Sequence, residues 1–130
     1  MSRRLISSGS PFESKMGYSR AVVVDGWIMV SGTTGFNYET MSIADDVVAQ
    51  AEQAFANISK ALSEAGATLA DVVRVHYIFP RAEDFEPCVP VMGHHFGDVR
   101  PAATIIVAGL VDPRMKIEIE VTAKLSSAAS

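Results

Sequence analysis

Cysteine is almost absent from this chain. Cys88 stands alone among 130 residues, so no internal disulfide can form and a reducing, cytoplasmic setting is expected. Long apolar runs are missing too. No stretch approaches the roughly 20 residues that cross a bilayer, which argues against a membrane partner. The opening Met-Ser-Arg-Arg-Leu-Ile-Ser-Ser-Gly-Ser carries basic residues without the apolar segment of a secretion signal behind them. Positive charge is scarce, with 11 Lys and Arg against 15 Asp and Glu and a net charge of −4. Nucleic-acid binders bring a basic footprint, because phosphate neutralisation supplies much of their affinity; a nucleic-acid role is therefore disfavoured. Three catalytic signatures are absent as well: a Gly-x-Ser-x-Gly elbow, a lysine-bearing phosphate loop, and a spaced set of metal ligands. His94 and His95 are adjacent, so on a helix they point about 100° apart and cannot grip one ion as an i, i+4 pair does. No metal site is expected.

What is present fits one folded domain over residues 1–130, with 126–130 as a frayed tail. Hydrophobic residues make up 48% of the chain and charged ones 20%, a balance that supports a buried core. Ser19 to Ser31 reads as a hairpin whose β-rich runs meet at Asp25-Gly26, the pair favoured in a type I′ turn. Arg3 to Ser7 offers a further strand. Ser31-Gly32-Thr33-Thr34-Gly35 reads as a small polar loop at a strand end, either a plain turn or a loop whose amides approach a small-molecule ligand.

Residues 43 to 65 place apolar side chains at three- and four-residue steps, predicting a long helix. Ser42 with Asp45 resembles its capping box and Gly66 its stop. Asp71 to Phe79 is a β-branched strand ended by Pro80. A shorter helix is expected over 83–97, regular from about Val89, since Pro87 and Pro90 fit a first turn. Two final strands follow, about 103–109 and 115–124. In the last, Met115, Ile117, Ile119, Val121 and Ala123 share one face, and Lys116, Glu118, Glu120, Thr122 and Lys124 the other. The order predicts an α+β domain, one mixed sheet with two helices on one face. Nothing remains to cover the other face, so an oligomer is expected.

Among chemistry-bearing residues, Cys88 lies in an apolar context where a thiol stays protonated, and Ser31 has no identifiable base. His76 shares a strand face with Arg74, as a polar face or a subunit contact. Glu118 and Glu120 project together from theirs. They are either solvated, or covered by a second copy, where a partly buried carboxylate can move a proton for water.

Several motifs together resemble the RidA/YjgF (reactive intermediate deaminase) superfamily. They are Tyr18 ahead of the hairpin, Val30-Ser31-Gly32, the run from Ala54 to Arg74, Arg100-Pro101-Ala102-Ala103-Thr104, and Ile117-Glu118-Ile119-Glu120. The match spans about Ser7 to Lys124. The resemblance implies a chorismate-mutase-like fold and a homotrimer with a barrel-like core and ligand clefts between subunits. It also implies cofactor-free hydrolysis of enamines and imines such as 2-aminoacrylate. In that chemistry an arginine holds the substrate carboxylate and a glutamate activates water. Other members are described as ribonucleases, translation inhibitors or chaperone-like proteins.

Carried onto this chain, the resemblance makes Glu120 the catalytic carboxylate. It places Tyr18, Ser31, Gly32, Thr33, Thr34, Ala103 and Thr104 along the substrate. The family's Pro-Ala-Arg-Ser/Thr reads Pro101-Ala102-Ala103-Thr104 here, and the helix asparagine of the deaminase branch falls at Val89. Loss of a charged, two-pronged partner costs about 1.5–3 kcal/mol. Arg100, three residues earlier, is either the substitute, its long side chain reaching the cleft rim, or, in the more ordinary role, a surface residue or an inter-subunit salt-bridge partner. The expected activity is hydrolysis of an imine- or enamine-type molecule that lacks an α-carboxylate or is larger and more apolar. The alternatives are a non-catalytic trimeric module binding a metabolite or protein, and an endoribonuclease or translation inhibitor.

Overall fold

The computed structural model describes residues 3–126, so most of the expected tail, 127–130, lies outside the described residues. Eleven strands and α-helices follow in order: β1 (Arg4–Ile6), α1 (Phe12–Met16), β2 (Ala21–Val24), β3 (Trp27–Thr33), β4 (Phe36–Asn37), β5 (Ser42–Ile43), α2 (Val47–Glu64), β6 (Val72–Phe79), α3 (Phe85–Phe96), β7 (Ala102–Val107) and β8 (Glu118–Lys124). Six strands form one mixed sheet in the order β1-β2-β3-β8-β6-β7. Among the described residues, only β6 and β7 pair in parallel. Their crossover carries α3, as parallel pairing requires. The expected α+β class is therefore correct.

The β2–β3 turn has positive φ at both Asp25 (54°) and Gly26 (78°), as a type I′ turn demands. Leading into β8 and along it the alternation holds: Ile117, then Ile119, Val121 and Ala123 of the strand, are buried, at 0–3% exposure, among Phe55, Ile58 and Leu62 of α2. Those residues, with Ile28, Val75, Phe79 and Phe96, form the core between sheet and helices.

Several boundaries differ from expectation, each for a visible reason. The long helix begins at Val47, because Asp46 caps it by accepting from the Ala49 amide at 3.0 Å; Ser42 instead pairs with Asn37 in a two-stranded ribbon. The short helix is regular from Phe85. Pro87 lies in the first turn, where no donor is needed, while Pro90 sits inside the helix. Burial of Cys88, Val91 and Phe96 holds that helix against the sheet. The last strand starts at Glu118, since the Lys116 amide donates to Gln50 Oε1 at 2.8 Å rather than to a neighbouring strand. Residues 31–33 are strand, not loop. A register shift between Val30 and Thr33 against β8 makes them a β-bulge. Among the described residues, no helix is long and apolar enough to cross a membrane.

Candidate functional site

Three groups of side chains hold the residues expected at a site; the first two adjoin through Glu118 and Glu120 on one strand face, and the third stands apart. The first is built on the bulge. Ser31 donates its amide hydrogen bond to the Arg20 carbonyl at 2.9 Å and its hydroxyl to the Ser19 carbonyl at 2.6 Å. Arg20 returns the contact through Nη1, which donates to the Gly32 carbonyl (3.0 Å), to Thr33 Oγ1 (2.8 Å) and, more weakly, to the Ser31 carbonyl (3.4 Å). Thr33 is fully buried and its hydroxyl donates to the Ser31 carbonyl at 2.7 Å. Thr34 is buried at 5%, its carbonyl accepting from Asn57 Nδ2. The two threonines therefore brace the bulge from behind. Ser31 and Gly32 remain half-buried on its outer side.

Gly32 has a specific partner there. A Cβ at this position would lie 2.7 Å from Glu118 Oε2, so the carboxylate occupies the space that any other residue would fill. Burial raises the Glu118 carboxyl above its ordinary value, the nearby Glu120 adds to the rise, and Arg20 opposes it. Tyr18 and Tyr38 complete the group, with the Arg20 guanidinium 5.7 and 5.9 Å from their ring centres. Burial likewise raises the Tyr38 phenol.

The second group lies on the sheet face that the helices leave bare. Register aligns Thr104, His76 and Glu120 across β7, β6 and β8. Arg74 Nη2 donates to Thr104 Oγ1 at 3.3 Å and Arg74 Nε to His76 Nε2 at 3.1 Å. A guanidinium can only donate, so His76 carries its proton on Nδ1, which meets Glu120 Oε1 at 2.5 Å. Glu120 is thus engaged by His76.

Ala103 belongs to the third group. Paired with buried Val75, it faces the opposite side of the sheet from Thr104 and Glu120. With Val89, Met92, Phe85 and Ile105 it lines a groove of about 320 Å³ between α3 and β7. Arg100 borders the groove in a left-handed conformation, φ 57°, with its amide donating to the Phe96 carbonyl. β3 and β7 are three strand spacings apart, roughly 14 Å, so the bulge and the groove are separate walls in one chain.

The remaining candidates settle elsewhere. Burial, then the charges of Asp84 and Asp46, push the Cys88 thiol up to about 11, leaving it protonated at neutral pH. His95 stacks on Phe55 at 4.2 Å and meets Glu52 at 3.0 Å, joining α3 to α2. Sequence reasoning missed Arg20 and Tyr38. The one available signal was a charged residue opening an otherwise apolar strand.

These features define an α+β domain with a carboxylate held over a glycine-bearing bulge and an apolar groove at the far sheet edge. The family model described as Endoribonuclease L-PSP matches residues 9–125. A curated 2-iminobutanoate/2-iminopropanoate deaminase of Capra hircus is 30% identical over 122 residues, covering 93% of this chain and 89% of that protein. A crystal structure of Rv2704 of Mycobacterium tuberculosis, described as a member of the YjgF/YER057c/UK114 family, superposes with a TM-score of 0.86. It is 40% identical and covers 95% of this chain and all of that one. RidA from an Antarctic Psychrobacter gives 0.80 at 28% identity, covering 93% and 94%. The chain belongs to this family, the Rid superfamily.

Proposed function

We propose that the chain binds a small reactive imine or enamine in a cleft between copies of itself and hydrolyses it without a cofactor. One wall is Tyr18, Ser31, Gly32 and Glu118 on the bulge. The other is the Ala103–Val89 groove of a neighbouring copy, which takes the apolar part of the molecule. The observation that carries this reading is the Glu118 carboxylate seated over Gly32, half-buried and poised above its ordinary pKa.

The resemblance made Glu120 the catalytic group; the geometry favours Glu118, since Glu120 is exposed and held by His76. In the step itself, water oxygen bonds to the imine carbon while Glu118 takes a water proton. The nitrogen, protonated in turn, departs as ammonia and leaves a carbonyl compound. A carboxylate with a raised pKa is the better general base near neutrality, a role worth about 10²–10⁴ in rate. The deaminase activity named for the goat relative supports this class. A second reading, a non-catalytic metabolite- or protein-binding trimer, draws support from Ala103 and Val89, which give the groove no charged anchor.

The test is ammonia release from freshly generated imines with short and with bulky apolar side chains. Turnover above buffer is expected, with preference for the bulky class. Glu118→Gln should lose about 10²-fold or more and Glu120→Gln far less, while Ala103→Arg gains on short 2-imino acids. A wild-type rate equal to buffer on every imine overturns the hydrolase in favour of the binding module. A Glu120→Gln loss as deep as that of Glu118→Gln returns the role to Glu120.

A further inference from the structure

Arg20 is 4% exposed, and its positive charge is permanent. Among the described residues it has no ion-pair partner. Its hydrogen bonds all leave from Nη1, toward the bulge. Nε is buried without a partner, and no bond from Nη2 to a described residue is formed. An uncompensated buried charge is costly, and two flanking tyrosine rings offset only part of that cost. Glu13 and Glu118 lie near enough to feel the Arg20 charge, yet neither carboxylate pairs with it. Burial and Glu120 still leave Glu118 raised against it, while at Glu13 burial is outweighed by the hydrogen bonds from Ser8, to which Arg20 adds a smaller pull. Glu13 is committed instead to the Ser8 amide and hydroxyl, at 2.9 and 2.6 Å.

We propose that Arg20 is the anion-binding residue of this chain, its free Nε–Nη2 edge receiving a ligand carboxylate between Tyr18 and Tyr38. That edge is the one a carboxylate grips with two parallel bonds. Tyr18 also lines an open cavity of about 390 Å³ with Ser7, Ser10 and Glu13; Arg20 does not line it, so a carboxylate reaches the buried edge only when the covering side chains move. The inference rests on the bulge wall described above and refines its ligand: a molecule with a carboxylate at one end and an apolar body at the other. The charge absent at Ala103 is supplied from the other wall.

The test is side-chain NMR of arginine Nε–Hε groups, assigned by correlation to the backbone. The wild-type chain is titrated with 4-methyl-2-oxopentanoate and, separately, its methyl ester. Neither contains an imine, so binding is read without turnover. A saturable shift of the Arg20 Nε–Hε signal by the acid is expected, with at least tenfold weaker binding of the ester and of Arg20→Lys. Saturable binding that moves Arg100 instead, or no saturable binding, overturns the proposal. So does an acid that shifts the Glu118 carboxyl while leaving the Arg20 Nε–Hε signal unmoved. Should Arg20→Lys fail to fold, the wild-type signals and the ester decide. Imine turnover without an Arg20 shift removes this inference alone; the shift without turnover removes only the hydrolase.

Discussion

Gly32 and Gly35 sit three residues apart and respond differently to a methyl group. At Gly32 the new Cβ meets Glu118 Oε2 at 2.7 Å, the far end of a flexible side chain. Gly32→Ala is expected to cost under about 1 kcal/mol of stability while driving the carboxyl outward. At Gly35 the Cβ meets Gln50 Cα at 2.6 Å, in the backbone of α2, which cannot yield locally. Gly35→Ala is expected to cost about 1–3 kcal/mol or more. Urea unfolding of the two variants checks the contrast, and equal losses would refute it. Glu118 itself gives a pH signature. Its folded pKa is raised by burial and by Glu120, so its contribution to stability is full below the unfolded pKa and is lost as pH rises through the folded value. Glu118→Gln should therefore gain stability over wild type toward neutral pH, with the two melting curves converging on the acid side. Melting temperatures between roughly pH 4 and pH 8 test this, and superimposable profiles would sink it. At this scale the sequence made the Glu118–Glu120 face visible but not which carboxylate meets the bulge. That choice depends on a register shift that periodicity does not carry.

The elements were legible where one interaction dominated. Asp25-Gly26 needs two positive φ angles, and the α2 and β8 stripes follow from burial on one face, so these matched the expectation. What stayed hidden depended on contacts distant in sequence. The bulge is held by Arg20, the α2 start by Asp46 outcompeting Ser42, and the late start of β8 by Gln50. That glutamine is fully buried and satisfied at three points: Nε2 donates to the Ala44 and Arg114 carbonyls at 2.7 and 2.8 Å, and Oε1 accepts from the Lys116 amide. It ties α2 to the segment that enters β8 just before Glu118. Gln50→Leu would strand those backbone groups, at a cost of about 2–4 kcal/mol. Because the same segment aims Glu118, the variant should also return that carboxyl toward its ordinary titration. Denaturant unfolding and carboxyl NMR read the two effects. A loss below about 1 kcal/mol would mean that the segment is held by other means.

For the whole molecule, the sheet face away from the helices is the unbalanced feature. Trp27, Met29 and Ile106 stand 38–45% exposed on or beside it. The Thr104–Arg74–His76–Glu120 chain crosses the same face, so a partner there must accommodate polar groups as well as apolar ones. Further copies of the chain meet both demands, and the separation of bulge and groove within one chain points the same way. These features call for further copies, and the family resemblance sets the total at three, so light scattering is expected to read three times the mass of one chain. Burying one isoleucine side chain is worth about 1.5–3 kcal/mol, and a trimer repeats the gain at each copy. Ile106→Glu should consequently dissociate the assembly while circular dichroism shows the helices intact. If the cleft lies between copies, the same variant abolishes imine hydrolysis although it touches neither Glu118 nor Ala103. A dissociated Ile106→Glu chain that keeps full turnover would confine the chemistry to one copy and dismiss the α3–β7 groove from the site.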